Sequence, residues 1–177
     1  MSLICEENLS TDDVLVAGNT NIKGKTIAEF KTDLSMHVIK DIKTSGFFSN
    51  SSSKQYIPIN GTLNEATGLS YGNDSLVFIA PFDGSLEQVV ARATGVPGST
   101  TIGLHKTGDS IENPNPTATG TVTVNMSVDD TAYKFDFTTN NTFSAGDVIA
   151  VSFDPTASTS GDVNITMVFS YDTTQGV

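Results

Sequence analysis

Alternation of apolar and polar residues near the C-terminus is the feature that most constrains the fold of this 177-residue chain. Val163, Ile165, Met167, Phe169 and Tyr171 are apolar, and mostly polar residues separate them. Because successive side chains of a β-strand point to opposite faces, this period of two predicts a strand with one buried face and one mostly polar face.

Seven further segments have strand character and are bounded by turn residues such as Asn-Gly, Asp-Gly and Pro-Gly. Together with the C-terminal segment, they predict strands over residues 54–60, 75–80, 86–94, 99–106, 119–128, 133–139, 147–154 and 162–172. Ser, Thr and Asn form roughly a third of the chain, which suits half-exposed sheets. We therefore predict an all-β fold, specifically a jelly-roll-like antiparallel β-sandwich of about eight strands with an N-terminal extended arm and a short helix.

Alternation within these segments also predicts which side chains face the core. The inward candidates are Val77, Ile79, Val89, Ala91, Ile102, Leu104, Val122, Val124, Met126, Val128, Tyr133, Phe135, Phe137, Val151 and Phe153.

The first 50 residues have weaker alternation, and we predict that residues 1–50 form an attachment arm before a sandwich body over residues 51–177. Residues 14–19 indicate one short strand and a turn. Thr26-Ile27-Ala28-Glu29 fits a capping box, which predicts a short amphipathic helix over residues 26–36. Residues 45–54 are rich in Ser and contain Gly, so they are typical of a hinge. The interface candidates are Ile27, Phe30, Leu34, Val38, Phe47 and Phe48, although packing of this apolar stripe on the chain's own body is an equally good interpretation.

The charge and cysteine content argue against several classes of partner. The formal net charge is −11, with nine Lys and Arg, which disfavours binding to nucleic acid and to anionic membranes. Apolar runs reach only strand length, so we expect no membrane span, and the first residues lack the basic and apolar regions of a secretory signal. The single Cys5 leaves stability to sheet packing rather than to disulfides.

Candidate catalytic and metal-binding residues are few. Gly68-Leu69-Ser70-Tyr71-Gly72 matches the G-x-S-x-G pattern of hydrolases, but the strand-turn-helix context that this pattern requires is absent from the prediction, and only His105 follows it. His105 falls on a predicted strand as an ordinary half-exposed residue, and neither it nor His37 has the spacing of metal ligands. Acidic and amide pairs such as Asp129-Asp130 and Asn140-Asn141 are explained by turns, without requiring calcium. We expect no enzyme activity, no cofactor and no metal.

One segment carries a resemblance to a known family. Residues 23–34 (KGKTIAEFKTDL) resemble segments in structural proteins of tailed marine bacteriophages, especially fibre-like proteins of cyanophages. Residues 79–93 (IAPFDGSLEQVVARA) and 161–172 (GDVNITMVFSYD) are similar to stretches of small phage β-sandwich proteins. The resemblance implies a virion component, commonly a homotrimer, in which an N-terminal segment docks on the particle and a β domain faces outward.

These observations lead to one main hypothesis and two alternatives. The short length favours a capsid decoration or cement protein, made in the host cytoplasm and displayed on the virion surface, with the major capsid protein or a tail protein as its partner. The first alternative is a fibre tip domain that binds a host-surface glycan through Tyr71, Asn73 and Asp74 or through Tyr133. The second is a hydrolase built on Ser70.

Overall fold

A computed structural model describes residues 13–17, 22–27, 29, 37–49, 51–59, 76–108, 111, 113–158 and 161–176. The chain divides into two compact units, Met1–Ile39 and Lys40–Val177. This division lies about ten residues before the boundary at residue 50 that the sequence predicts. The assignment of an attachment role to the first unit stays a prediction.

The first unit contains a β-hairpin and the predicted capping box. Strands β1 (Asp13–Ala17) and β2 (Ile22–Thr26) pair antiparallel, with Asp13 opposite Thr26. The backbone N–H and the hydroxyl of Thr26 each donate to Glu29 Oε2 at 2.9 Å, and the Glu29 N–H donates back to Thr26 Oγ1 at 3.3 Å. Ile27 and Glu29 are helical. The predicted capping box is thus confirmed. Strand β2 of the hairpin was not predicted. The rest of the predicted helix over residues 26–36 lies outside the described residues.

Among the described residues, ten further strands follow and form two sheets. They are β3 (Val38–Ser49), β4 (Gln55–Tyr56), β5 (Val77–Ile79), β6 (Phe82–Ala93), β7 (Gly98–Thr107), β8 (Gly120–Met126), β9 (Ala132–Asp136), β10 (Thr142–Phe143), β11 (Val148–Pro155) and β12 (Gly161–Gly176).

The strand order is that of a jelly roll. In the β3 sheet the order is β10-β6-β12-β3, and β9 also pairs with β6. In the β7 sheet the order is β4-β11-β7-β8, and β5 also pairs with β11. Since β4 and β5 share one side of β11, and β9 and β10 share one side of β6, the ten strands fill eight positions. Numbered along the chain, these positions order as 1-8-3-6 and 2-7-4-5, which is the double Greek key of a jelly-roll sandwich.

All eight predicted strands are present, but together they fill only seven of the eight positions in the two sheets. The predicted strands at 54–60 and 75–80 become β4 and β5, which occupy one position together. The position that the prediction missed is β3, which covers residues 38–49 and includes half of the predicted hinge. Residues 45–49 are therefore not a hinge, because pairing with β12 holds them in the sheet.

The core lies between the two sheets and follows the alternation predicted for β12. Its five apolar residues are all buried, and Phe169 packs edge-on against Phe78 with ring centroids 5.2 Å apart. Phe78, and not its neighbours, faces the core between the sheets, and Ile79 is 68% exposed, so its inward assignment was wrong. Val77 packs instead against a second buried cluster, formed by Tyr56, Leu76 and Ala150. Val128 is also exposed, because it follows the end of β8. The remaining inward candidates are buried in the core or packed against it.

The turn predicted at Asp83-Gly84 is not present in the structure. Asp83-Gly84 has the composition of a tight turn, yet both residues lie inside β6, with Gly84 opposite Tyr171. A Cβ atom on Gly84 would lie 2.3 Å from the Ser170 carbonyl oxygen and 2.8 Å from the Phe143 ring. Glycine is thus required here for close packing inside a strand rather than for a turn.

Candidate functional site

The four interface candidates that the structure describes occupy two different environments. Ile27, Val38 and Phe48 are exposed, at 52%, 39% and 48%. Phe47 is buried and packs edge-on against Phe153, with ring centroids 5.6 Å apart, so it belongs to the core of its own chain and not to an interface. The two other candidates, Phe30 and Leu34, lie outside the described residues.

Strand β3 is the longest edge strand of the described sandwich. It is terminal in its sheet and spans twelve residues, whereas the terminal strand β8 of the other sheet spans seven. Its outward side chains include Ile42, which is 63% exposed, and Phe48. The sequence did not predict Ile42 as an interface residue. The inward positions on either side of it are the charged residues Asp41 and Lys43, so β3 lacks the usual alternation of apolar inward and polar outward residues.

Those two charged residues lie on the inward face of β3, and neither is buried. The Lys43 ammonium lies 3.1 Å from the Asp41 carboxylate and 4.8 Å from the centroid of the Phe78 ring. Asp41 and burial together raise the pKa of Tyr171 to about 12, with burial as the larger cause. The aliphatic stem of Lys43 thus covers the core while its charge is paired.

A groove of about 330 Å³ lies near the C-terminal end of β3, between this strand and β12. Gly46, Phe48, Asp162 and Asn164 line it, together with Phe47 and Val163. Asp162 and Asn164 are exposed residues at alternate positions of β12, so their side chains point to the same outer face of the sheet. The groove therefore combines an exposed aromatic ring with a carboxylate and an amide.

His105 occupies a second polar site, on the opposite sheet. It lies on β7 as predicted, but it is fully buried rather than half-exposed. Its Nδ1 lies 2.8 Å from the Asn115 carbonyl oxygen, and its Nε2 lies 2.9 Å from Ser152 Oγ. Because a carbonyl oxygen can only accept, Nδ1 carries the hydrogen, and the Ser152 hydroxyl donates to Nε2.

The surroundings of His105 favour the neutral imidazole and make it inaccessible to substrates. Tyr56 packs edge-on against the imidazole with centroids 5.0 Å apart, and Lys54 donates to the Pro116 carbonyl oxygen at 2.9 Å. Burial lowers the pKa of His105 and the Lys54 charge lowers it further, while the hydrogen bond to Asn115 raises it. Ser152 and His105 have the contact of a nucleophile and a base, but Ser152 is only 2% exposed, so this pair serves packing.

Residues proposed for glycan binding or hydrolysis lie mostly outside the described residues. These are Ser70, Tyr71, Asn73 and Asp74. Tyr133 is described, and its hydroxyl oxygen accepts a hydrogen bond from the Val128 N–H at 2.8 Å while its ring packs against the core. Tyr133 therefore holds the turn after β8 through its hydroxyl group.

The acidic and amide pairs that the structure describes are turn residues. Asp130 and Asn140 have φ values of 50° and 53°, the left-handed conformation that Asp and Asn adopt more readily than other non-glycine residues. Asn141 donates its side-chain N–H groups to the carbonyl oxygens of Leu86 and Phe137. Within the described part of the chain, no group of three or more His, Cys, Asp or Glu could hold a metal ion. No helix among the described residues is long and apolar enough to cross a membrane.

Comparisons with known proteins give distant structural similarities. No protein-family model matches the chain, and no curated protein matches its sequence. A chain in the acidic stable capsid structure of Helicobacter pylori bacteriophage KHP30 is 8% identical with a TM-score of 0.36, covering 74% of this chain and 86% of that one. A chain of the Bacillus endospore appendages, disulfide-linked pili, is 12% identical with a TM-score of 0.29, covering 76% and 88%. The S. frugiperda Eiger TNF is 11% identical with a TM-score of 0.30, covering 71% and 91%. At these values no function carries over from any of the three proteins.

Proposed function

We propose that this protein is a non-enzymatic structural subunit of a bacteriophage particle, specifically a capsid decoration or cement protein. It would display its jelly roll on the virion surface and dock on the major capsid protein or a tail protein through its N-terminal segment and through the edge of β3. The observation that carries the proposal is the long edge strand β3, with an outward apolar side chain at Ile42. The sequence resemblance of residues 23–34 to phage structural proteins supports it.

An edge strand of this kind is suited to association. It presents a row of backbone N–H and C=O groups to a neighbouring chain, and proteins that remain monomeric usually protect such edges. Strand β8 offers a shorter edge of seven residues, and its exposed side chains, Thr121, Thr123 and Asn125, are polar rather than apolar. Burial of apolar surface contributes about 25 cal/mol per Å², so an interface of standard size, about 1,600 Å², can hold a subunit without covalent links. A homotrimer remains part of this proposal.

The decisive experiment is reassembly on particles that lack the protein. Purified capsids from a phage with the gene deleted are mixed with the full chain, with Ile42→Asp and with Thr121→Asp as the matched control on β8. We expect cosedimentation with the capsids to weaken at least about tenfold for Ile42→Asp, because a charge replaces an apolar contact, and to stay unchanged for Thr121→Asp. Equal binding by the two variants would exclude the β3 edge as the docking surface.

The role of the N-terminal segment is tested on the same particles. A chain that lacks residues 1–36 retains the whole of β3 and the sandwich. We expect this chain to lose particle binding and the density attributed to the protein in cryo-electron microscopy. Binding equal to that of the full chain would show that the N-terminal segment is not the anchor.

A second candidate function is recognition of a host-surface glycan by a fibre tip domain. The observation that favours it is the open groove beside Phe48, which is lined by a carboxylate and an amide. A particle image in which the protein lies at a fibre tip rather than on the capsid would select this candidate.

A further inference from the structure

The groove between β3 and β12 has the composition of a small carbohydrate site. We propose that it binds one neutral sugar ring of a surface polysaccharide, with Phe48 as the stacking surface and Asp162 and Asn164 as the hydrogen-bonding groups. Its volume of about 330 Å³ is at the lower end of the range for small-molecule sites, which suits a short saccharide. The inference rests on the second candidate function, glycan recognition, and it is tested on the free protein, so its failure leaves the particle-docking proposal unaffected.

Phe48 supplies an aromatic surface that the fold does not use. It is 48% exposed, whereas its neighbour Phe47 points into the core and packs on Phe153. The face of an aromatic ring carries partial negative charge, and the C–H groups on one face of a pyranose ring are weakly positive and apolar. Stacking of a sugar on Phe48 would therefore cover exposed apolar surface that otherwise remains in water.

Asp162 and Asn164 supply polar groups from a rigid backbone. The Asp162 carbonyl oxygen accepts from the Thr94 N–H at 2.9 Å, and the Asp162 N–H donates to Thr94 Oγ1 at 2.8 Å. Within the described part of the chain, no hydrogen bond involves the side-chain carboxylate of Asp162 or the side-chain amide of Asn164. The carboxylate can accept from two hydroxyl groups of a sugar, and the amide can donate to one and accept from another.

Gly46 makes the room for the ligand. It lines the groove together with Phe48 and Asn164, and a Cβ atom on it would lie 3.2 Å from Asn164 Oδ1. A larger side chain here would fill the groove and displace the Asn164 amide. Because Gly46 lies within a strand and needs no unusual backbone angle, a substitution there changes the groove with little effect on the backbone.

Charge restricts the class of sugar. Asp162 is acidic and the whole chain carries a net charge of −11. Arg92 lies directly opposite Asn164 on the neighbouring strand β6, but its guanidinium is bound to Asp130, with Nη2 3.1 Å from the carboxylate. An anionic sugar would thus meet an uncompensated carboxylate, so we expect neutral hexoses or N-acetylhexosamines and not sialic acid.

The experiment is a titration of the full ¹⁵N-labelled chain, followed by NMR, with methyl glucoside, methyl galactoside, methyl N-acetylglucosaminide and sialic acid. We expect weak, millimolar binding of at least one neutral sugar, with amide shifts concentrated at Gly46, Phe48 and Asn164. Phe48→Ala and Gly46→Val should each weaken binding at least about tenfold. Ile42→Ala, an exposed apolar position on the same face of β3, is the matched control and should bind as the wild type does.

Three results would overturn the proposal. They are the absence of shifts with all three neutral sugars, equal or tighter binding of sialic acid, and unchanged binding by Phe48→Ala. Unchanged thermal unfolding of each variant shows that lost binding comes from the groove and not from the fold. None of these results affects the particle-binding experiment, which depends on Ile42 and on residues 1–36.

Discussion

At the scale of single residues, His105 and Ser152 show how polar side chains are buried on the outer face of the β7 sheet, where they alternate with the core residues Leu104 and Val151. Both are buried, and each satisfies the other through the hydrogen bond from the Ser152 hydroxyl to Nε2. Gly103 makes this possible, because a Cβ atom on it would lie 2.8 Å from Ser152 Oγ and 3.0 Å from Ala118 Cβ. The loop that follows β7 can therefore pack down on the sheet, and its Asn115 carbonyl oxygen accepts from the other ring nitrogen.

The lowered pKa of His105 predicts a pH dependence of stability. Its native pKa lies below the ordinary value of 6.5, so the unfolded chain binds the proton first as the pH falls. The His105 contribution is therefore constant above pH 6.5, and stability decreases as the pH falls from 6.5 through the native pKa. His105→Gln can make both hydrogen bonds but does not titrate.

Urea unfolding of the wild type and of His105→Gln between pH 7.5 and pH 4.5 measures this effect. We expect a smaller loss of stability for His105→Gln across that range, because only the wild type has a titrating group at position 105. Identical pH profiles would show that His105 is accessible or already charged in the folded protein. At pH 7.5, Ser152→Ala should cost about 1–3 kcal/mol, because Nε2 then lacks a donor.

At the scale of an element, β3 places Phe47 and Phe48 in different environments, although the sequence predicted both as interface residues. Phe47 faces the core and Phe48 faces solvent, because neighbouring side chains of a strand point to opposite faces. We expect Phe47→Ala to lower the free energy of unfolding by about 3–5 kcal/mol, since it leaves a cavity beside Phe153. Phe48→Ala should lower it by less than about 1 kcal/mol.

Urea unfolding at a fixed pH distinguishes these two substitutions. Similar losses for both would mean that Phe48 also packs against protein in the isolated chain. A loss at Phe48 alone would contradict the orientation of β3 in the sheet.

At the scale of the whole molecule, the position of the boundary between the two units predicts which truncations remain folded. Every buried residue of the main core cluster lies at Phe47 or later in the chain. Removal of residues 1–36 should therefore leave a cooperative unfolding transition close to that of the full chain. Removal of residues 1–50 deletes β3 with Phe47 and exposes the long strand β12 as a new edge, so the transition should weaken or the protein aggregate.

Near-UV circular dichroism during heating, together with light scattering, checks both truncations. A stable monomer without residues 1–50 would show that β3 is dispensable and would restore the boundary near residue 50. Unfolding of the shorter truncation, without residues 1–36, would show that the sandwich depends on the first unit.

Features that depend on neighbouring residues could be predicted from the amino-acid sequence. Residues only a few positions apart are enough to predict the alternation of β12, the eight strand segments, two turns and the capping box. The turns are those at Pro97-Gly98 and Asn140-Asn141, and the capping box is Thr26–Glu29. Four features could be seen only in the tertiary structure: the strand order, the pairing of β3 with β12, the orientation of the Phe78 side chain toward the core, and the burial of His105. Each of these depends on residues far apart in sequence, such as β3 with β12 or Asn115 with His105, and a local period carries no information about which segments will meet.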